Sequence, residues 1–274
     1  MSYSSILYIC MFLPAVTLLY GIMPQRHRWK VLLAVSYIFF YLLSGKLVIY
    51  LIASTFSIHQ LGLWLDHSRR IYDLSRKDAQ ADEKAVLKAA YTKKKRGILL
   101  FAVLLHIGML LFLKYFDFFG QNANQLLSLL NLPEVIPTLK LAVPLGISFY
   151  TMQAVSYVTD VYHGKIEADD NLGRLALYMS FFPIIMEGPI CRYSETAVSL
   201  YEGRPLLYKN AAYGYQRIIW GLFKKMVIAD RLNPLVAKIF DNYGDYGGAI
   251  VVVSCTRIFP AVSISLSVRE RFSA

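Results

Sequence analysis

The sequence predicts an all-α integral membrane protein, a multi-helix bundle with broken or re-entrant helices and one interfacial amphipathic helix. Hydrophobic residues make up 56% of the 274 residues, and the mean hydropathy is +0.44. Charged residues are 17% of the chain, below the ~25% that is usual in soluble domains. The net charge of +11 comes mainly from short segments between apolar runs, as in the cytoplasmic loops of membrane proteins, and this placement argues against nucleic acid as a partner.

The first apolar run covers residues 6–23 and carries no charge. Its 18 residues reach the lower limit for crossing a hydrocarbon core about 30 Å thick. The five residues before it carry no positive charge, and no short apolar region with a small-residue cleavage site follows, so the run is not typical of a signal peptide. It predicts a first membrane helix.

Two further apolar runs cover residues 31–43 and 47–65. They follow a basic cluster of Arg26, Arg28 and Lys30, and Ser44-Gly45-Lys46 divides them. This divider predicts a tight turn between two helices, because glycine readily adopts the backbone angles that such turns need.

Residues 67–97 are the most polar stretch, with ten Lys or Arg against four Asp or Glu. If three helices precede this segment, it lies on the same side of the membrane as the basic residues 24–30. The positive-inside rule then predicts a cytoplasmic loop at 67–97, with the N-terminus outside a multi-pass protein of the plasma membrane.

Residues 98–113 predict a helix that returns outward, and residues 114–140 an external segment with interfacial aromatic side chains and the helix breakers Pro133 and Pro137. His106 lies in the middle of the returning helix. An ionisable group at membrane depth is a functional candidate, and the alternative is a neutral imidazole that is hydrogen-bonded inside the bundle. Neither the five histidines nor the three cysteines show metal-ligand spacing.

From residue 141 onward, apolar segments contain helix breakers, namely Pro144, Gly146, Pro183, Gly188 and Pro189. They also carry the polar residues Gln153, Asp160 and Glu187. Interrupted helices with polar groups are tolerated in a membrane only where protein buries them or where they line a wet cavity. This segment therefore predicts the wall of a pocket.

Helical spacing places Gln153, Ser156 and Asp160 on one face, and they are substrate-contact candidates. Buried hydrogen bonding between helices is the alternative for the same pattern. Glu187 and Arg192 flank the break at Gly188-Pro189. They are candidates for an ion pair that fixes this break, or, for Arg192, for contact with a phosphate.

Residues 206–232 predict an amphipathic helix that lies on the membrane surface. Spacings of three and four residues place an apolar stripe on one face and basic side chains on the other. The stripe consists of Tyr208, Ala212, Tyr215, Ile219, Leu222 and Met226, and the basic face of Lys209, Arg217, Lys224 and Arg231.

Local sequence strings resemble the membrane-bound O-acyltransferase superfamily, in particular its bacterial branch of alginate O-acetylases and D-alanyl transferases of teichoic acid. The strings are PLGISFY at 144–150, YVTDVYHG at 157–164, FFP at 181–183 with EGPICRY at 187–193, and GLFKKMVIAD at 221–230. FLP at 12–14 and SYIFFY at 36–41 also fit. The match keeps a consistent order over about residues 1–250.

The resemblance implies helices that surround a tunnel between an acyl donor on the cytoplasmic side and the hydroxyl of a cell-surface or cell-wall polysaccharide. It implies an acetyl or D-alanyl thioester as co-substrate, no bound cofactor, and no metal. A histidine near the middle of the tunnel would serve as general base. The bilayer, the polysaccharide, and acyl-carrier or periplasmic acetylation proteins would be the partners. These features suggest O-acetyl transfer in polysaccharide modification, such as alginate biosynthesis, with D-alanyl transfer to teichoic acid as the alternative.

The sequence departs from this family in two respects, the context of its histidines and the residues from Ser254 onward, which lack the Tyr, Gln and Asp-Phe-Ser-Gly rich continuation of the family. The catalytic histidine of the family follows a tryptophan, and none of the five histidines here does. We therefore interpret residues 1–253 as the N-terminal part of an acyltransferase domain and residues 254–274 as an aberrant tail of a truncated or frame-shifted chain. The expected histidine would then lie beyond this chain, which would be inactive alone. A membrane transporter or a non-catalytic scaffold protein is the alternative function.

Overall fold

The computed structural model describes residues 7–78, 80–129, 137, 142–185, 190–241 and 248. Its regular secondary structure is helical throughout these residues, which confirms the predicted all-α class. The chain divides into two compact units. Met23–Gly203 form the central unit, and Met1–Ile22 with Arg204–Ala274 form the flanking unit.

The α-helices of the central unit are α2 (Arg28–Ser44), α3 (Val48–Asp78), α4 (Ala81–Leu129), α5 (Ile147–His163), α6 (Leu172–Ser180) and α7 (Tyr193–Tyr201). Those of the flanking unit are α1 (Leu13–Ile22), α8 (Tyr208–Lys224) and α9 (Asp230–Asp241). Short π-helical turns cover Tyr8–Phe12 and Lys225–Ala229, and 3₁₀ turns cover Gln25–His27 and Gly45–Leu47.

The turn predicted at Ser44-Gly45-Lys46 is present between α2 and α3. Gly45 has a φ of 56°, which the Cβ of other residues disfavours. Its amide donates to the Tyr41 carbonyl and caps α2. A short turn of this kind makes α2 and α3 antiparallel neighbours.

The polar segment 67–97 is helical, and the prediction of a loop was wrong. Helix α3 continues to Asp78, and α4 already begins at Ala81. Residues 67–97 are rich in good helix formers. Contacts within α3 and between α3 and α4 stabilise the helical conformation. Arg70 Nε donates to Asp66 Oδ2 at 2.7 Å, and the rings of Tyr72 and Tyr91 stack at 4.5 Å. Charge alone did not separate a polar helix from a loop.

Helix α4 also extends further than predicted. It does not end near residue 113 but continues to Leu129. At 1.5 Å per residue its 49 residues are about 73 Å long, more than twice the thickness of a hydrocarbon core. Two helical stretches, Gln25–Lys77 and Glu83–Leu129, are long and apolar enough to cross a membrane, which supports a membrane location.

The predicted helix breakers lie between helices and not within one. Pro144 precedes α5, and Gly146 caps its start with a φ of 73°. A Cβ at Gly146 would lie 2.2 Å from the carbonyl oxygen of Ile185, so glycine is needed for the close approach of the two segments. Pro183 lies in the turn after α6, which ends at Ser180. Gly188, Pro189 and Pro133 lie outside the described residues.

Helix α3 is the centre of the central unit, and α4, α5 and α6 pack against it. Its fully buried side chains Leu51 and Ile58 belong to one apolar core with Tyr157 of α5 and Leu175 of α6. Close packing of such buried apolar side chains stabilises a helical bundle. The core therefore fixes α5 against α3.

In the flanking unit, the amphipathic helix begins at Tyr208 as α8. Tyr208 and Ile219 of the predicted stripe are more than half exposed, as expected for a helix with an uncovered apolar face. The predicted stripes do not extend unchanged through Met226 and Arg231, because the π-helical turn Lys225–Ala229 inserts an extra residue and shifts the register.

Candidate functional site

Helix α5 carries three of the five substrate-contact candidates, and the structure separates them by depth. Gln153 and Asp160 lie on its packed face, with 2% and 5% of their surfaces exposed, whereas Ser156 is only half-buried. Lys165 Nζ lies 3.7 Å from Asp160 Oδ1. Among the described residues, neither Gln153 Oε1 nor Asp160 Oδ2 has a hydrogen-bond partner.

Two close approaches define how α5 is aligned with α3. A Cβ on Gly62 would lie 3.1 Å from the ring of Tyr157, and a Cβ on Gly164 would lie 3.4 Å from the guanidinium of Arg69. From the first contact to the second, the residue number rises by seven in both segments, from 62 to 69 and from 157 to 164. Helices α3 and α5 therefore run parallel. Counting back four residues from Tyr157 places Gln153 at the height of Ile58 and His59.

Helix α6, which packs against both α3 and α5, reaches the same height. The Phe182 amide donates to Ser36 Oγ at 3.2 Å, and Ser36 of α2 lies across the turn at Gly45 from about residues 54–56 of α3. Ser180, at the end of α6, therefore comes to the height of His59. We call His59, Gln153 and Ser180 the polar layer.

The members of the polar layer are buried, and each has a polar atom without a hydrogen-bond partner among the described residues. His59 is 7% exposed and Ser180 is fully buried. Both ring nitrogens of His59 and Ser180 Oγ have no hydrogen-bond partner within the described residues. Tyr150, one turn before Gln153, also buries a hydroxyl without a partner. Since an unpaired buried polar group costs about 1–3 kcal/mol, such a layer is suited to a polar molecule from outside the bundle.

His106 of α4 has a different environment. Its Nδ1 donates to the Ala102 carbonyl at 2.9 Å, and its Nε2 lies 3.1 Å from Ser57 Oγ. The Ser57 hydroxyl also lies 3.1 Å from the Ser54 carbonyl, so its one proton is shared between that carbonyl and Nε2. Of the two interpretations of His106, the structure shows the hydrogen-bonded one.

Of the remaining candidates, Arg192 does not join this layer. Glu187 lies outside the described residues, so its predicted ion pair with Arg192 is not described. Arg192 precedes α7, where its carbonyl accepts from Glu195 and Thr196. Its side chain is exposed, whereas Gln153 and Asp160 are buried.

A tyrosine network that the sequence did not suggest connects α5, α6 and α7. The Asp169 amide donates to the Tyr157 hydroxyl at 3.0 Å, and the Tyr193 hydroxyl donates to Asp169 Oδ2. Tyr201 donates to the Arg174 carbonyl at 2.7 Å. Burial, and then the hydrogen bond to Asp169, raise the pKa of Tyr193 above its ordinary value, so its hydroxyl remains a donor at neutral pH. No local pattern signals this network, because its members are distant in the chain.

No group of three or more His, Cys, Asp or Glu side chains is placed to hold a metal ion within the part of the chain that the structure describes. The polar layer combines imidazole, amide and hydroxyl groups. These groups hydrogen-bond neutral polar molecules, including water and alcohols.

Comparisons with known proteins connect the sequence to enzymes. The chain is 30% identical to the probable alginate O-acetylase AlgI of Pseudomonas syringae pv. tomato and 28% identical to that of Azotobacter vinelandii, each over 88% of this chain. It is 31% identical to the peptidoglycan O-acetyltransferase of Helicobacter pylori over 54% of this chain and 32% of that protein. No protein-family model matches the sequence, and no solved structure matches it.

The chain spans less than half the length of these relatives, 42% and 44% for the two alginate O-acetylases. Within that span the similarity covers 240 residues, which include the segments that form the polar layer and the tyrosine network. The similarity to these O-acetyltransferases, together with the helical described residues and the apolar helices, supports placing the chain with the membrane-bound O-acyltransferase-like proteins.

Proposed function

We propose that the protein is a membrane O-acetyltransferase that acetylates hydroxyl groups of a cell-surface polysaccharide. The relatives named for alginate and peptidoglycan O-acetylation support this substrate class. They also favour acetyl over D-alanyl as the acyl group. The observation that carries the proposal for this chain is the polar layer, a set of buried polar groups with atoms that have no hydrogen-bond partner among the described residues.

Acyl transfer to a sugar needs a place where a hydroxyl is oriented and shielded from water. Gln153 Oε1 is an acceptor for the hydroxyl proton, and the ring of His59 offers one donor and one acceptor in its neutral form. In our proposal the polar layer holds the acceptor hydroxyl or the acyl carbonyl and does not itself break bonds. The resemblance implies that the proton-accepting histidine follows a tryptophan, and none of the five histidines here has that context.

The membrane arrangement is part of the same proposal. The basic segment 67–97 faces the cytoplasm, from which an acetyl thioester is supplied, and the N-terminus faces outside. Acyl-carrier or periplasmic acetylation proteins then bring or receive the acetyl group. The positive charge of this segment supports the orientation.

The test replaces codons in the chromosomal gene and measures ester-bound acetate that mild alkali releases from the cell-surface polysaccharide. Gln153→Leu removes the amide from the polar layer, whereas Gln216→Leu makes the same change at an exposed position of α8. We expect deletion of the gene to abolish the acetate and Gln153→Leu to lower it about tenfold, the value of one lost hydrogen bond to a bound hydroxyl. Gln216→Leu should leave it unchanged at equal protein abundance.

The outcomes separate the function from the site. Unchanged acetate on deletion of the gene contradicts the proposed function, and loss of D-alanyl esters in its place identifies another acyl group. If deletion lowers the acetate but Gln153→Leu does not, the function stands and the polar layer is not the substrate site.

A further inference from the structure

One face of α4 carries an open groove near the start of the helix. Its floor is formed by Ala85 and Ala89, and Lys88, Thr92, Lys93 and Arg96 complete its lining. The groove is shallow and open, and all of its lining residues belong to α4. These positions recur at spacings of three and four residues, so all six lie on the same side of the helix.

The cations of this groove are exposed and have no acidic partner among the described residues. Two ion pairs of the neighbouring helix α3 join other residues, Arg69 with Asp73 and Arg70 with Asp66. Lys95, which points elsewhere, lies over the rings of Tyr91 and Tyr162. The groove therefore presents uncompensated positive charge over a small apolar floor.

The same face of α4 continues as an exposed apolar stripe. Leu100 and Leu104 follow Arg96 at intervals of four residues, and Leu111 follows seven residues later. They are 61%, 62% and 46% exposed. Cationic and apolar parts thus form one continuous strip along a single helix.

The depth of the cations in the membrane follows from their position in the chain. Arg96 lies two residues before the uncharged run 98–113, and Lys93 lies five residues before it. At 1.5 Å per residue these distances are about 3 and 8 Å along the axis. The headgroup layer on each side of the hydrocarbon core is about 5–8 Å thick, so both cations lie at its depth.

We propose that this strip is a binding site for an anionic phospholipid, with the headgroup phosphate between Lys93 and Arg96 and the acyl chains along Leu100 and Leu104. The continuity of charge and apolar surface selects this occupant. A water-soluble phosphate would make no contact with the leucines. A soluble acidic protein cannot reach side chains inside the hydrocarbon core. The proposal depends on the membrane location and not on the acyltransferase function.

The experiment counts lipids bound to the full-length protein by native mass spectrometry in an uncharged detergent, with equal amounts of phosphatidylglycerol and phosphatidylcholine. Lys93→Gln with Arg96→Gln removes two charges from the groove. Lys77→Gln with Lys94→Gln removes two exposed charges from the same helical hairpin outside the groove. Circular dichroism of each variant checks that the helix content is retained.

We expect the unaltered protein to retain phosphatidylglycerol in preference to phosphatidylcholine. The groove variant should lose about 30-fold in affinity for it, since each cation near an anionic lipid contributes about fivefold. The control variant should change it less than threefold, and glycerol 3-phosphate should not displace the lipid. Equal losses in the two variants, no preference for the anionic lipid, or displacement by glycerol 3-phosphate would each overturn the proposal.

Discussion

At the scale of single residues, two buried histidines in the same bundle differ in what surrounds them. His106 makes two hydrogen bonds to Ala102 and Ser57, whereas His59 makes none to the described residues. Both sites are more than nine-tenths buried. The difference marks His106 as a structural group and His59 as a group that is kept at a cost to stability, which is common at functional sites.

Replacing each histidine by leucine tests this difference. His59→Leu should raise the midpoint of thermal unfolding, because it removes an unpaired polar ring worth about 1–3 kcal/mol. His106→Leu should lower it, because two hydrogen bonds worth about 1 kcal/mol each are lost. Intrinsic fluorescence of the purified protein in detergent measures both midpoints. Equal decreases in the two variants would show that His59 is also a structural group.

At the scale of the helices, Gly146 decides where α5 begins. A side chain there meets two obstacles, the positive φ of 73° and the Ile185 carbonyl at 2.2 Å. A left-handed residue other than glycine costs about 1–2 kcal/mol, and the contact requires the turn after α6 to move.

Gly146→Ala should therefore lower the midpoint of thermal unfolding. The decrease should exceed that for alanine at any glycine whose added Cβ would meet no other atom. Gly97→Ala is the matched control, because a Cβ at Gly97 in α4 meets nothing within 4 Å. This control should stabilise the helix by up to about 1 kcal/mol, the advantage of alanine over glycine. If Gly146→Ala leaves the midpoint unchanged, the approach between α5 and Ile185 is not rigid in the folded protein.

The helices also show what the sequence could predict. Gly45 and the start of α8 at Tyr208 were predictable, because turn chemistry and amphipathic periodicity act over a few neighbouring residues. The helical nature of 67–97 was not, because its charge pattern suits a polar helix as well as a loop. What decides between them is contact with another helix, such as the stacking of Tyr72 on Tyr91.

At the scale of the whole molecule, the polar layer was only partly predictable. The face that carries Gln153 and Asp160 follows from helical spacing within α5. His59 and Ser180 belong to other helices, and their placement at the height of Gln153 depends on how α5 and α6 pack on α3. Long-range packing of this kind leaves no local signal in a single sequence. The same limit applies to the tyrosine network around Asp169.

Helix α4 is long enough for its two ends to lie on opposite sides of the membrane. Positions near these ends therefore test the orientation of the central unit. Val86 and Gln121 are exposed positions near its two ends, about 52 Å apart at 1.5 Å per residue. A bilayer with its headgroups is about 40–45 Å thick, so the two positions should emerge on opposite sides. The positive charge around Val86 predicts that its side is the cytoplasm.

Cysteine labelling tests this arrangement. In a variant with serine at Cys10, Cys191 and Cys255, either Val86→Cys or Gln121→Cys provides the only thiol. We expect a membrane-impermeant maleimide to label Gln121→Cys in intact cells and to reach Val86→Cys only after the membrane is permeabilised. Labelling of both positions in intact cells would show that α4 does not cross the membrane. Labelling of Val86→Cys alone would reverse the orientation and place the basic groove of α4 against the outer leaflet.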